Sequence, residues 1–254
     1  MGTLDRLRGA RGYSLTELLV VCAIFAMVAG GSLGLYRIAQ QTYTTTSGLI
    51  DSQSEARAAI DRMVADLRLA GAFVVGATNA PTAVTSASSS AITFLADIDG
   101  DTLSSGAEAT ASSASGTSVT VSSATGFTAN EYLYIGSGIT REVRQISSIS
   151  GTTLTLSASL TNTFSSGSIV RSVESVAWTY DSSAQTLTRQ VGSTTAETVA
   201  SSVSSFTLTY YDSSNATTTT AASIRRIKVN LTVGSGSTKR TLEVEVFPAS
   251  LNLS

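Results

Sequence analysis

Residues 8–36 read RGARGYSLTELLVVCAIFAMVAGGSLGLY, a basic, glycine-punctuated stub that runs straight into an apolar stretch. From Leu18 to Tyr36 no residue is charged, and at about 1.5 Å per residue the run is long enough to cross a bilayer as a helix. Arg6, Arg8 and Arg11 precede it against Asp5 alone. The positive-inside rule therefore puts the N-terminus in the cytoplasm and everything after Tyr36 outside it. An ordinary secretory signal peptide fits poorly, because the basic region ends in Arg11-Gly12 and no small-x-small site follows the apolar run. Glu17 at the head of that run is the most informative residue. A carboxylate in hydrocarbon costs several kcal/mol unless it is neutralised or paired, so Glu17 needs a partner. Cys22, in the middle of the run, reads as a small hydrophobe.

Working outward, the helical pattern persists to about Ala70. Ile60, Met63, Val64 and Leu67 follow i, i+3, i+4, i+7 spacing, which predicts an amphipathic continuation that lies on a sheet. Arg57, Asp61, Arg62, Asp66 and Arg68 are expected largely on the other faces. Gly71 is a natural helix stop, and Asn79-Ala80-Pro81 excludes further helix. Beyond it, Ile92–Ala96, Val119 with Val121, Tyr132–Ile135, Leu154 with Leu156, Val173–Tyr180, Phe206–Tyr211, Ile224–Val233 and Leu242–Phe247 read as short strands between Ser, Gly and Thr turns. The last two predict a hairpin with both apolar sets on one face, Lys228 opposite Glu243 and Arg226 opposite Glu245. The stretch from about 102 to 170 has its own strand-turn rhythm and is expected to form an inserted β-rich subdomain. It reads as a spacer or extra contact surface, or as a binding surface for which Phe127, Tyr132 and Tyr134 are candidates, although alternation places some of these in a core.

Composition excludes several functions. The chain has no His and one Cys among 254 residues, so His-based triads, His-ligated zinc, an internal disulfide and cysteine metal cages are ruled out. Ser and Thr make up about 30% of the chain, charged residues only 13%, and the net charge is −2. That balance gives no support for nucleic-acid binding by bulk attraction. There is no Walker-type phosphate loop, and Ser without His has no base to activate it, so no enzymatic activity is expected.

One constellation could hold a metal. Asp97, Asp99, Asp101 and Glu108 occupy the first, third, fifth and twelfth places of a twelve-residue calcium loop, with hard oxygen donors suited to Ca²⁺. The sixth place, normally Gly, is Thr102, and Gly100 comes two residues early. Acidic turn residues in a solvated loop are the competing account.

The leader RGARG followed by YSLTELLVVCAIFAM resembles the N-terminus of type IV pilins and type II secretion pseudopilins. In that superfamily a prepilin peptidase cuts after the Gly and methylates the new terminal amine, and the Glu pairs with the N-terminal amine of a neighbouring subunit. The resemblance implies cleavage between Gly12 and Tyr13, N-methylation of Tyr13, and Glu17 as the assembly carboxylate. Tyr13 departs from the Phe usual at that position. The helix end, Asp66, Leu67, Arg68, Ala70 and Gly71, is similar to an acidic-Leu-Arg-x-Ala-Gly ending of PilW-type minor pilins and J-type pseudopilins.

The implied fold is α+β and type IV pilin-like: a leader at 1–12, a transmembrane or filament-core helix at 13–36, its amphipathic continuation at 37–71, and a β-rich head at 72–254 on an antiparallel sheet. The implied function is that of a minor pilin acting in pilus priming or at the tip; a type II secretion pseudopilin and a filament-displayed adhesin are the alternatives. The implied partners are other pilin subunits, the prepilin peptidase, an inner-membrane assembly platform and, before assembly, membrane lipid. The implied location is the bacterial inner membrane, single-pass, followed by an extracellular or periplasmic filament. No cofactor is expected apart from the candidate Ca²⁺.

Overall fold

The computed structural model describes residues 14–98, 109–234 and 239–252. One helix, α1 (Leu15–Leu69, 55 residues), precedes thirteen strands among the described residues. The chain divides into two compact units, Met1–Ile50 and Asp51–Ser254.

In the first unit, α1 carries an 18-residue window of mean hydropathy 2.4, none of it buried by the chain itself. Length and composition suffice to cross a membrane. Leu15, Phe25 and Met27 are all more than 70% exposed. Nothing in the described chain covers these side chains.

The second unit begins with the last turns of α1, where Ala56, Ala59, Ile60, Met63 and Leu67 are buried. The predicted spacing is right, and Ala56 and Ala59, in the turn before Ile60 and Met63, are small enough to let the helix approach closely. These residues share one core with two sheets. The first sheet is built on β8 (Ile169–Asp181), which pairs with β2 (Ala91–Ala96) on one side and β9 (Thr186–Val191) on the other; β1 (Val84–Ala87) and β10 (Glu197–Ala200) form its edges. The second is a meander of β11 (Val203–Tyr211), β12 (Arg226–Val233) and β13 (Arg240–Val246). Trp178, Phe94, Ile92 and Ile227 are fully buried between these layers, each contributing about 1.5–3 kcal/mol of transfer free energy.

Strand β8 is 13 residues long and serves two bodies. Its second half is the centre of the first sheet. Its first half pairs with β3 (Ala109–Ser115) on one edge and β5 (Tyr132–Ser137) on the other. From β3 the pairing continues through β4 (Ser118–Val121), β7 (Thr153–Leu156) and β6 (Thr140–Ser150), and returns to β5. The circuit closes, so residues from 109 to 173 form a six-stranded antiparallel barrel without free edges. Val119, Leu133, Ile135, Ile146 and Leu154 fill it as a second core. The interior is packed with side chains, as expected for a barrel this narrow.

The β12–β13 hairpin differs from expectation by two residues. Lys228 lies opposite Glu245 and Asn230 opposite Glu243. The expected partners still meet, diagonally: Arg226 to Glu245 and Lys228 to Glu243, each at 2.8 Å. Register is set by Ile227, Val229 and Leu231 facing Val246, Val244 and Leu242. A shift of two keeps every side chain on its face, and long cationic side chains reach the diagonal neighbour as easily as the direct one.

Candidate functional site

The helix starts at a reciprocal pair. Ser14 precedes the first helical residue; its backbone N–H donates to Glu17 Oε2 at 3.0 Å, and the Glu17 N–H donates to Ser14 Oγ at 3.2 Å. This S-x-x-E arrangement is a capping box, in which two N–H groups that the helix leaves unpaired are satisfied by side chains. A carboxylate in the first turn also lies in the favourable end of the helix dipole. Glu17 is exposed and, among the described residues, makes no hydrogen bond or ion pair beyond this turn. Gly12 and Tyr13, the expected cleavage residues, lie outside the described residues. Cys22 is a free, exposed thiol within the apolar span.

At the other end of α1, Asp66 departs from its expected place on an outer face. It is buried, and its carboxylate accepts from Trp178 Nε1 at 3.0 Å and from Arg189 Nε and Nη2 at 2.6 and 3.1 Å. One side chain thus locks the helix to β8 and β9. The spacing could have disclosed it, because position 66 follows Met63 by three and precedes Ala70 by four, on the buried stripe. Gly71 then takes φ +79 and donates its N–H to the Leu95 carbonyl. A Cβ there would stand 3.0 Å from both Leu251 Cδ2 and Val75 Cγ2, so the glycine is needed for conformation and for space. The ending Asp66-Leu67-Arg68-x-Ala70-Gly71 is therefore a docking device for the helix.

Of the four candidate calcium ligands, only Asp97 is among the described residues; Asp99, Asp101 and Glu108 lie outside them. Asp97 is buried and paired with Arg171 at 2.7 Å. The Arg171 guanidinium stacks 4.3 Å from the Phe73 ring centre, and Phe73 in turn packs against Tyr134. Glu174, opposite Ala96 in the ladder, accepts from the Ile98 N–H at 3.1 Å and from the Ser172 hydroxyl. Among the described residues no three of Cys, Asp and Glu converge as a metal-holding set.

A further buried carboxylate gave no sign in the sequence. Glu142 on β6 is fully buried and faces Ile135 on the inner side of the barrel. It accepts from the N–H groups of Thr161 and Asn162, from the side-chain amides of Asn79 and Asn162, and pairs with Arg144 at 3.0 Å. Burial by itself raises its pKa. The four donors outweigh that and hold it below the usual carboxylate range. Glu142 ties the post-helix loop at Asn79 to the barrel end. Its strand carries REVRQ, a charged pattern that gave no strand signal.

Of the aromatic candidates for recognition, Phe127 is buried in the barrel core, while Tyr132 and Tyr134 are half-buried against the helix-and-sheet core. A cavity of about 270 Å³ near Tyr134, lined also by Phe73, Val75, Arg141 and Ser250, opens beside the post-helix turn.

A long N-terminal helix with an uncovered apolar span, followed by an antiparallel β head, fits the type IV pilin-like fold. Comparison with protein families agrees: the prokaryotic N-terminal methylation motif matches residues 7–33. The matched segment contains Gly12, Tyr13, Ser14 and Glu17 and supports a type IV pilin-like, structural role with N-methylation, membrane anchoring, processing by a prepilin peptidase and assembly with other pilin subunits. No curated protein and no solved structure matches the chain significantly.

Proposed function

We propose that the chain is a minor subunit of a type IV pilus or related filament, acting in priming or at the tip. The observation that carries this reading is that the methylation motif at 7–33 opens a helix whose apolar span finds no cover among the described residues. In lipid, an unpaired carboxylate and an unpaired ammonium are both costly, so each protomer carries a defect that lateral association repairs. In this reading the prepilin peptidase cleaves between Gly12 and Tyr13, Tyr13 is methylated, and Glu17 pairs with the N-terminal amine of a neighbour. The N-terminus is cytoplasmic, the span rests in inner-membrane lipid beside the assembly platform, and the head is displayed on the filament.

Glu17→Ala tests this directly. The variant is expected to be processed normally, to accumulate in the membrane and to be at least tenfold depleted from sheared filaments. Wild-type incorporation would overturn the reading. Loss of secreted substrates without loss of surface pili would point to a pseudopilin of a type II secretion system.

The closed barrel favours a second, compatible role as a displayed contact module, because it has its own core and no free edges. Its interior is filled, so a ligand would have to bind its outer surface. Calcium at Asp97, Asp99, Asp101 and Glu108 is a further part of the proposal. The ion would have to share Asp97 with Arg171, and titration calorimetry of chelator-stripped protein without saturable heat would remove it.

A further inference from the structure

The capping box leaves the two oxygens of Glu17 in different states. Oε2 accepts the Ser14 N–H, while Oε1 accepts no hydrogen bond from any described residue. The Ser14 hydroxyl is itself held by Thr16 Oγ1 at 2.6 Å, and the Ser14 carbonyl accepts the first helical bond, from the Leu18 N–H at 3.2 Å. The carboxylate is thus tied on one side to a rigid turn and open on the other. Free rotation of a Glu side chain would spread that open oxygen over several rotamers; the reciprocal bonds remove this freedom.

The box also does not depend on processing. Ser14 keeps an amide N–H whether Tyr13 is joined to Gly12 or carries a free amine. Cleavage creates the ammonium that seeks a carboxylate, and leaves the box that presents one unchanged.

We propose that Ser14 is a positioning residue for assembly: its capping box satisfies one oxygen of Glu17 in the lone protomer and aims the other at the amine of an incoming subunit. This rests on the reading that Glu17 receives that amine. It adds that the receiving group is pre-organised, so that docking orders fewer groups than it would with a free side chain.

The test co-expresses tagged wild type with a variant in cells that assemble filaments, and measures the ratio in sheared filaments relative to the cleaved, methylated membrane pool. Normalising to that pool removes any effect on the peptidase. Ser14→Ala keeps the backbone N–H on Glu17 Oε2 but removes the hydroxyl that accepts the Glu17 N–H. The box is half lost, and incorporation is expected to fall about fivefold, the typical worth of a lost N-cap. Ser14→Thr, which restores the hydroxyl, is expected to recover. Glu17→Asp keeps the charge but is too short to close the box, and is expected to fall as well. Wild-type incorporation of Ser14→Ala or of Glu17→Asp, with Glu17→Ala excluded, overturns the positioning role and leaves the pairing intact. Wild-type incorporation of Glu17→Ala overturns the pairing itself.

Discussion

The two ends of α1 solve the same problem in opposite ways. From Leu15 to Tyr43 the large apolar side chains are exposed, and Glu17, the one acidic residue before Asp51 in the helix, meets only its own helix turn among the described residues. From Asp51 onward the stripe of Ala56, Ala59, Met63 and Leu67 is buried, and Asp66 receives three hydrogen bonds from β8 and β9. In the second region the partners are inside the chain; in the first, the described residues supply none. A single continuous helix therefore carries one segment that belongs to folding and another that is left for lipid and for other subunits.

The sharpest way to break this contrast is to exchange the consequences of the two carboxylates. Asp66→Ala strips a buried guanidinium and the indole of Trp178 of their shared acceptor, a loss of about 3–5 kcal/mol. Trp178 is the only tryptophan and its Nε1 is bonded to Asp66, so its fluorescence reports unfolding at the affected place. In urea titrations of the full chain in lipid nanodiscs the variant should unfold at much lower denaturant. Glu17→Ala should leave that midpoint within about 0.5 kcal/mol of wild type, while abolishing incorporation into filaments. Equal effects of the two changes on the midpoint would mean that the first region is also held by the chain.

Glu142 extends the same argument to the barrel, at a smaller expected effect. Glu142→Gln keeps the shape but sets an amide donor against the N–H groups of Thr161 and Asn162, at about 2–3 kcal/mol. Its pH dependence has a definite sign. The folded-state pKa lies below the ordinary value, so the stabilisation is complete above the unfolded-state value of about 4.3 and is lost as pH falls through the lower folded-state value. Thermal midpoints measured from pH 6 to pH 3 should converge between wild type and Glu142→Gln at the acid end. A gap that stays constant through that window would show that Glu142 is neutral in the folded chain.

Much of this was legible beforehand, for identifiable reasons. The apolar run, the Glu17 position, the i, i+3, i+4, i+7 stripe and Gly71 are local signals, each carried by residues that lie within a turn or two of one another. The alternating strands β5, β8 and β12 were visible for the same reason. Asp66 sits on the stripe that spacing marks as buried, but the partner that makes its burial tolerable, Trp178, is 112 residues away. Glu142 has no such local mark, its partner Thr161 lying 19 residues on. Strand β3, ATASSAS, has only small side chains and no contrast between faces. The barrel closure was hidden in the double pairing of β8, a property of the strand's length and not of its composition.

Gly71 tests whether the second region is docked by backbone geometry as well as by charge. Gly71→Ala combines an unfavourable φ of +79 with contacts at 3.0–3.1 Å to Leu251, Val75 and Ala83. A cost of about 1–2 kcal/mol is expected, since both the conformation and the packing oppose a Cβ. Chemical denaturation of the full chain would measure it, and a neutral result would mean that the turn relaxes freely after Leu69.

The smallest effect is expected where the second region meets water. Arg226 bonds Glu245 at 2.8 Å and lies 3.9 Å over the Tyr211 ring, with Glu245 about two-fifths exposed. Removing the carboxylate in Glu245→Gln should cost less than about 1 kcal/mol, because solvent screens the pair and the ring contact with Arg226 survives. The apolar facing of Ile227, Val229 and Leu231 with Val246, Val244 and Leu242 fixes the same register without it. A double-mutant cycle with Arg226→Gln should give a coupling that shrinks with added salt. A large, salt-insensitive coupling would instead make this diagonal pair a determinant of register, in the manner of Asp66 at the helix end.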